Sequence, residues 1–158
     1  MTKAFLDKYG NPDANGDGIL DPQWFKENIT IFEFPFPLVL SWRPSEQTRR
    51  FQAHRLAGAR IVSAYSRIGA HKGIPYLREQ KLDRWGGCFN FRLVRGGTEL
   101  SVHAWGAAVD HCPDLGRMGS AEDAATYPRF IVEAFEAEGF VWGGNWKRPD
   151  AMHFELQE

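Results

Sequence analysis

An α+β fold is expected for this chain on three observations. Strand-like and helix-like stretches are mixed without a βαβ rhythm. The 158 residues match the size of one ordinary domain. No internal repeat or linker breaks the chain, so a single domain over residues 1–158 is expected.

In order along the chain, residues 1–28 are polar and turn-rich, with Gly10-Asn11-Pro12 and Asp13-Ala14-Asn15-Gly16-Asp17-Gly18. Residues 29–42 alternate in part, and Pro35 and Pro37 suit extended chain or an edge strand, where a missing N–H is tolerated. Ser45 is placed to cap the strongest helix pattern, in which Phe51, His54, Gly58, Ile61, Tyr65 and Ile68 recur at spacings of three and four. Gly69 and Gly73 bracket its end. Residues 74–100 carry loop signals around a short strand, Cys88–Val94. Ala107–His111 reads as a short buried strand and Pro113–Met118 as loop. A helix is expected from about Pro128 to Glu138, with Gly139 just beyond it, and Met152–Leu156 as a last strand.

Composition excludes several classes. A net charge of -1 gives no field to attract nucleic acid. No stretch approaches the roughly 20 apolar residues that span a bilayer; Ile29 to Trp42 is interrupted by Glu33, Pro35 and Pro37. The N-terminus turns polar too early for a secretory signal, so synthesis in the cytoplasm is expected. Cys88 and Cys112 do not form a disulfide framework or a CxxC, and read as two buried thiols.

The chemistry concentrates in two segments, Ser101-Val102-His103-Ala104-Trp105-Gly106-Ala107-Ala108-Val109-Asp110 and Asp150-Ala151-Met152-His153-Phe154-Glu155. Two imidazoles and one carboxylate satisfy the three-ligand count of a catalytic zinc site that keeps a fourth position open. His103 and Asp110 are too far apart for one strand to bring both to a small ion, and Gly106 between them permits a tight turn or a close backbone approach. An ionised Asp110 on a buried strand needs a positive partner. His153 and Glu155 share one strand face and Phe154 takes the other. Asp150 is free to take a proton from water without being a ligand. Arg92 suits a substrate carboxylate or a developing oxyanion. On spacing alone, these residues read equally as a satisfied loop histidine, a strand-end cap and a core histidine.

The pattern Ser101-x-His103-x-x-Gly106-x-Ala108-x-Asp110, followed by Gly139-Phe140-Val141-Trp142-Gly143-Gly144-Asn145-Trp146 and Asp150-x-x-His153-Phe154-Glu155, resembles the zinc D-Ala-D-Ala carboxypeptidase and L-alanyl-D-glutamate endopeptidase family, which includes phage endolysins. The resemblance is firm from about Trp85 onward. It implies a Hedgehog/DD-peptidase fold, a small antiparallel sheet with packed helices. It implies one zinc ion per chain on His103, Asp110 and His153, with Asp150 as general base. Arg92 would stabilise the substrate carbonyl, with Arg95 as the fallback, and Ser101 would help hold substrate. The implied partner is peptidoglycan, cut in its stem peptides by a monomer that reaches the wall after phage-type release. An L-alanyl-D-glutamate endopeptidase is the leading expectation. A D-Ala-D-Ala carboxypeptidase and a non-catalytic wall-binding module are the alternatives. Endolysins of this type often add a wall-binding module; this chain departs from that pattern, ending two residues after Leu156, and a catalytic domain alone is expected.

Other features have plainer readings. Asp13, Asn15 and Asp17 copy the start of an EF-hand calcium loop, but Trp24 stands where that loop needs a bidentate Glu. An Asx/Gly turn is favoured there, with weak calcium binding as the alternative. His54 reads as a hydrogen-bonded core residue, His71 as a helix-end residue in solvent, and His111 as facing away from Asp110. Trp105, Trp142 and Trp146 either line a cleft or pack. Glu155 either orients a ligand or lies exposed.

Overall fold

A computed structural model describes residues 1–157. One six-stranded sheet organises them: β1 (Ile29–Leu40), β2 (Arg43–His54), β3 (Arg84–Gly87), β4 (Ala108–His111), β5 (Val141–Trp142) and β6 (His153–Glu155). The strand order is β2-β1-β3-β4-β6-β5. Every neighbouring pair is antiparallel except β1 and β3, which run parallel through Val39↔Arg84 and Leu40↔Trp85. Helices α1 (Lys3–Tyr9), α2 (Pro22–Asn28), α3 (Gly58–Lys72), α4 (Ile74–Glu79), α5 (Ala121–Thr126) and α6 (Arg129–Glu136) complete the α+β arrangement that the sequence predicts. None of the described helices is long and apolar enough to cross a membrane.

Four local expectations are corrected. The turn-rich first 28 residues contain α1, capped by the Thr2 hydroxyl, and α2, capped by Asp21 with Pro22 in its first turn. Both helices are short, and their seats are tertiary. Phe5 and Tyr9 are buried, and the Trp24 indole N–H donates to the Tyr9 carbonyl at 3.0 Å.

The helix expected from Ser45 begins only at Gly58; residues 43–54 form β2. A long antiparallel ladder with β1 overrides the three-four spacing. Phe51 stacks on Phe34 at 4.4 Å, and Ala53 is buried on the same face. Arg49, Arg50 and Gln52 point outward. Within α3, Ile61, Ala64, Tyr65 and Ile68 form the buried stripe, and Gly73 ends the helix at φ 83°.

Residues 29–40 are extended as expected, but β1 is an interior strand rather than an edge, because β2 takes the edge position. Its prolines fall where the β1–β2 register shifts between Glu33 and Leu38, so no ladder donor is lost. Finally, the strand expected at Cys88–Val94 is displaced to Arg84–Gly87. Gly86 belongs in that strand because its neighbours crowd it: a Cβ there would lie 2.7 Å from the Asp110 carbonyl oxygen. Residues 88–92 then run irregularly to a single bridge, Leu93↔Leu100.

Of the remaining elements, β4, α6 and β6 follow expectation within a residue or two, whereas α4, in a stretch read as loop, and the short α5 and β5 are additions to it. Phe154 is fully buried and stacks on Phe135 of α6 at 4.3 Å, which anchors β6 to the core. Cys88 and Cys112 are free and buried, and burial pushes both thiols above their ordinary range. Asp17 accepts the Ile19 N–H at 2.8 Å in an Asx turn, and Asp13 accepts the Gly18 N–H at 3.1 Å across the loop.

His54 and His111 are fully buried as neutral rings. His54 ends β2; its Nε2 lies 3.2 Å from the Tyr9 carbonyl and its Nδ1 accepts the Leu56 N–H. His111 meets the Tyr65 hydroxyl at 3.0 Å. Burial lowers His54 to about 4 and His111 to about 3. These folded values lie below the unfolded one, so the stability tied to the neutral rings is complete above about pH 6.5. It drains as pH falls toward the folded values, at up to about 1.4 kcal/mol per pH unit for each ring. Urea unfolding of chelator-treated protein at pH 6, 5.5 and 5, where His153 is largely protonated folded and unfolded alike, is expected to show this decline. A flat profile would mean that neither ring is held neutral.

Candidate metal centre

Three elements bring His103, Asp110 and His153 together. His103 sits in a single 3-10 turn, Val102–Trp105, whose N-cap Ser101 accepts the His103 N–H on its hydroxyl. Gly106 ends the turn in the left-handed region at φ 64°. It also approaches β2 closely: the His54 N–H donates to its carbonyl at 2.9 Å, and a Cβ on Gly106 would fall 2.7 Å from that nitrogen. The chain then enters β4, where Asp110 pairs across the ladder with His153 of β6.

The three facing atoms form a small triangle. His103 Nε2 lies 3.2 Å from Asp110 Oδ1 and 3.2 Å from His153 Nδ1, and His153 Nδ1 lies 3.0 Å from Asp110 Oδ1. The outer ring atoms fix the tautomers. The His103 Nδ1–H donates to the Cys88 carbonyl at 2.6 Å, and the His153 Nε2–H donates to Glu155 Oε2 at 3.1 Å. Both imidazoles therefore turn a lone pair toward the carboxylate. Three acceptors on one point require a positive centre, either a proton or a metal ion. Donor atoms around a tetrahedral zinc at bond lengths near 2.0–2.1 Å stand about 3.3 Å apart, which matches the triangle. The donor set and its geometry fit one zinc ion, and His103, Asp110 and His153 are the residues that could hold it.

Without metal, a proton fills the role. Burial pulls the His153 ring down, but Asp110 and Glu155 reverse this and raise it to about 9. Burial acts to raise Asp110, yet hydrogen bonds from the two histidines hold it well below the ordinary carboxylate range.

Asp150 stands beside this triangle, 4% exposed, and its Oδ1 has no hydrogen-bond partner. Burial raises its carboxyl, His153 opposes the rise, and the Asp110 charge adds to it. The backbone fixes the residue: its N–H donates to Gly143 at 2.9 Å and its carbonyl accepts the His153 N–H at 3.1 Å.

Two cavities meet at the triangle. One, of about 280 Å³, is lined by Trp42, Gly86, Gly87, Asn90, His103 and Asp110. The other, of about 260 Å³, is lined by Arg95, Ser101, Trp146, Asp150 and His153. Arg92 lines both, so it spans the junction, whereas Arg95 lines only the second. The structure thus brings Ser101, His103, Asp110, Asp150 and His153 together around one cleft, with Arg92 on its wall. Glu155 is partly buried and hydrogen-bonded to His153 rather than exposed. Trp105 and Trp142 are buried and donate their indole N–H groups to Gly10 and Ala151. Trp146 lies over His153 at 5.3 Å between ring centroids. Trp42 and the glycine pair at 86–87 were not legible as site residues, because a lone aromatic in a turn carries no spacing signal.

A buried His/Asp/His triangle in an open cleft, with an unpartnered acid beside it, is an arrangement that could hold a catalytic metal ion. A family model described as D-alanyl-D-alanine carboxypeptidase matches residues 95–156, a span that includes the whole triangle and Asp150. The match bears out the family resemblance drawn from the two motifs and supports a zinc peptidoglycan peptidase of the carboxypeptidase or endopeptidase kind. No solved structure matches the chain.

Proposed function

We propose that the chain is a zinc-dependent peptidase of the L-alanyl-D-glutamate endopeptidase type, hydrolysing peptidoglycan stem peptides as a monomeric, endolysin-like catalytic domain. The observation that carries this reading is the triangle of lone pairs with the orphaned carboxylate of Asp150 beside it. Zinc held by His103, Asp110 and His153 would supply Lewis acidity, polarising a carbonyl oxygen and acidifying water. Asp150 takes a proton from the attacking water and returns it to the leaving amine, and its raised carboxyl suits both transfers. Arg92, reaching both cavities, steadies the carbonyl oxygen as charge develops, and Arg95 binds a substrate carboxylate beyond it. Ser101 fixes the turn that presents His103 and lines the cleft on the Asp150 side.

Endopeptidase action is favoured over trimming because the cleft continues on both sides of the triangle. A carboxypeptidase needs one side closed around a terminal carboxylate. Mass spectrometry of fragments released from purified peptidoglycan tests this. Internal stem-peptide cleavage that a chelator abolishes is expected. Release of free D-alanine alone would establish trimming, and no release would remove the hydrolase.

Glu155 orients His153 from behind. Glu155→Ala is expected to weaken zinc binding about 10- to 100-fold. Competition against a chromophoric chelator reads the change, and wild-type affinity in the variant would deny Glu155 this role.

A further inference from the structure

We propose that the cavity walled by Trp42 is a saccharide subsite, holding the N-acetylated amino sugar from which the stem peptide hangs. The inference rests on the peptidase reading and adds the part of the substrate that this side of the cleft takes. Trp42 stands at the turn between β1 and β2 and is 59% exposed, although large aromatics elsewhere in the chain are mostly buried. It nonetheless shares a cavity with His103 and Asp110.

The floor of that cavity is Gly86-Gly87. No described atom lies within 4 Å of where a Cβ on Gly87 would stand, so the floor is open there. Asn90 and Arg92 form the polar rim, and both are exposed.

This combination suits a pyranose ring. The C–H face of a sugar packs on an indole, which offers a large, rigid, apolar plane. Its hydroxyls and acetamido group need both donors and acceptors, which the Asn90 amide supplies. The first residues of a stem peptide, alanine and glutamate, have no flat apolar group to cover an indole. The sugar does, and it lies within about one residue of the alanyl–glutamyl bond. At about 280 Å³ the cavity is near the lower limit of ordinary ligand sites, enough for one ring. The opposite cavity, with Arg92 and Arg95, then receives the carboxylate-bearing remainder of the peptide.

The test is calorimetric titration of the zinc-loaded full chain with the peptide-free disaccharide N-acetylglucosaminyl-N-acetylmuramic acid. Wild type is expected to bind, Trp42→Ala about tenfold more weakly, and Trp42→Phe close to wild type. Asn90→Ala provides a second, independent loss. In hydrolysis, the ratio of kcat/KM for a disaccharide-linked stem peptide over the same peptide without sugar should fall about tenfold in Trp42→Ala. No disaccharide binding by wild type, or equal binding by wild type and both alanine variants, overturns the subsite. Disaccharide binding that depends on Trp42, in a protein that cuts neither substrate, would uphold the subsite and overturn the peptidase. Cleavage with no sugar preference would do the reverse.

Discussion

Asp150→Asn is expected to lower kcat on a stem-peptide substrate by about 100- to 10,000-fold, the range that a positioned acid–base group commands. The substitution keeps the shape of the side chain and removes its ability to accept and return a proton. Zinc affinity should change far less, because Asp150 is outside the triangle of facing atoms. The same variant should be more stable in its metal-free form. Burial raises the Asp150 carboxyl above its unfolded value, so the charged side chain opposes folding at neutral pH, and a neutral amide removes that opposition. Activity and thermal melting, measured together, separate this role from a structural one. A variant with wild-type turnover, or one that loses activity only because it no longer binds zinc, would take the proton shuttle away from Asp150.

Removing zinc is expected to abolish hydrolysis and to lower the melting temperature by roughly 10 °C when the metal is present at about a thousandfold above its dissociation constant. The cause is the mutual repulsion of three acceptors once their shared positive centre is gone. Part of that loss is recovered by a proton, because His153 in the metal-free protein is raised to about 9. Zinc must displace this proton, so binding at pH 7 should release about one proton, and affinity should rise with pH up to about 9. Calorimetry in buffers of different ionisation enthalpy reads the release directly. A melting temperature indifferent to chelation, with no proton released, would mean that the triangle does not take up metal.

The residues of this centre were legible in the sequence because each sits in a motif with fixed spacing, and each spacing has a geometric purpose. Gly106 permits the turn after His103, and the alternation of His153, Phe154 and Glu155 assigns opposite faces. The fold around them was less legible. Phe51, His54, Gly58 and Ile61 fit a helical stripe as one-dimensional spacing, yet the first two belong to β2 and the last two to α3. Pairing with a strand that begins 25 positions before His54 decided the matter, and no local pattern carries that information. α1 and α2 were hidden for a related reason: their caps are visible in Thr2 and Asp21, but the pocket that receives Trp24 is made by distant segments. Trp42 was invisible as a site residue because its meaning depends entirely on which cavity the hairpin turn faces.

The turn that carries Trp42 joins β1 to β2, some 50 positions before the span that holds the triangle and Asp150. Chemistry and one wall of the cleft are thus encoded in separate stretches of the gene. If the proposed subsite holds, exchange at Ser41 and Trp42 is expected to change how tightly the sugar is held while the residues around the triangle stay as they are. A library confined to that short turn is therefore the economical place to seek altered sugar binding.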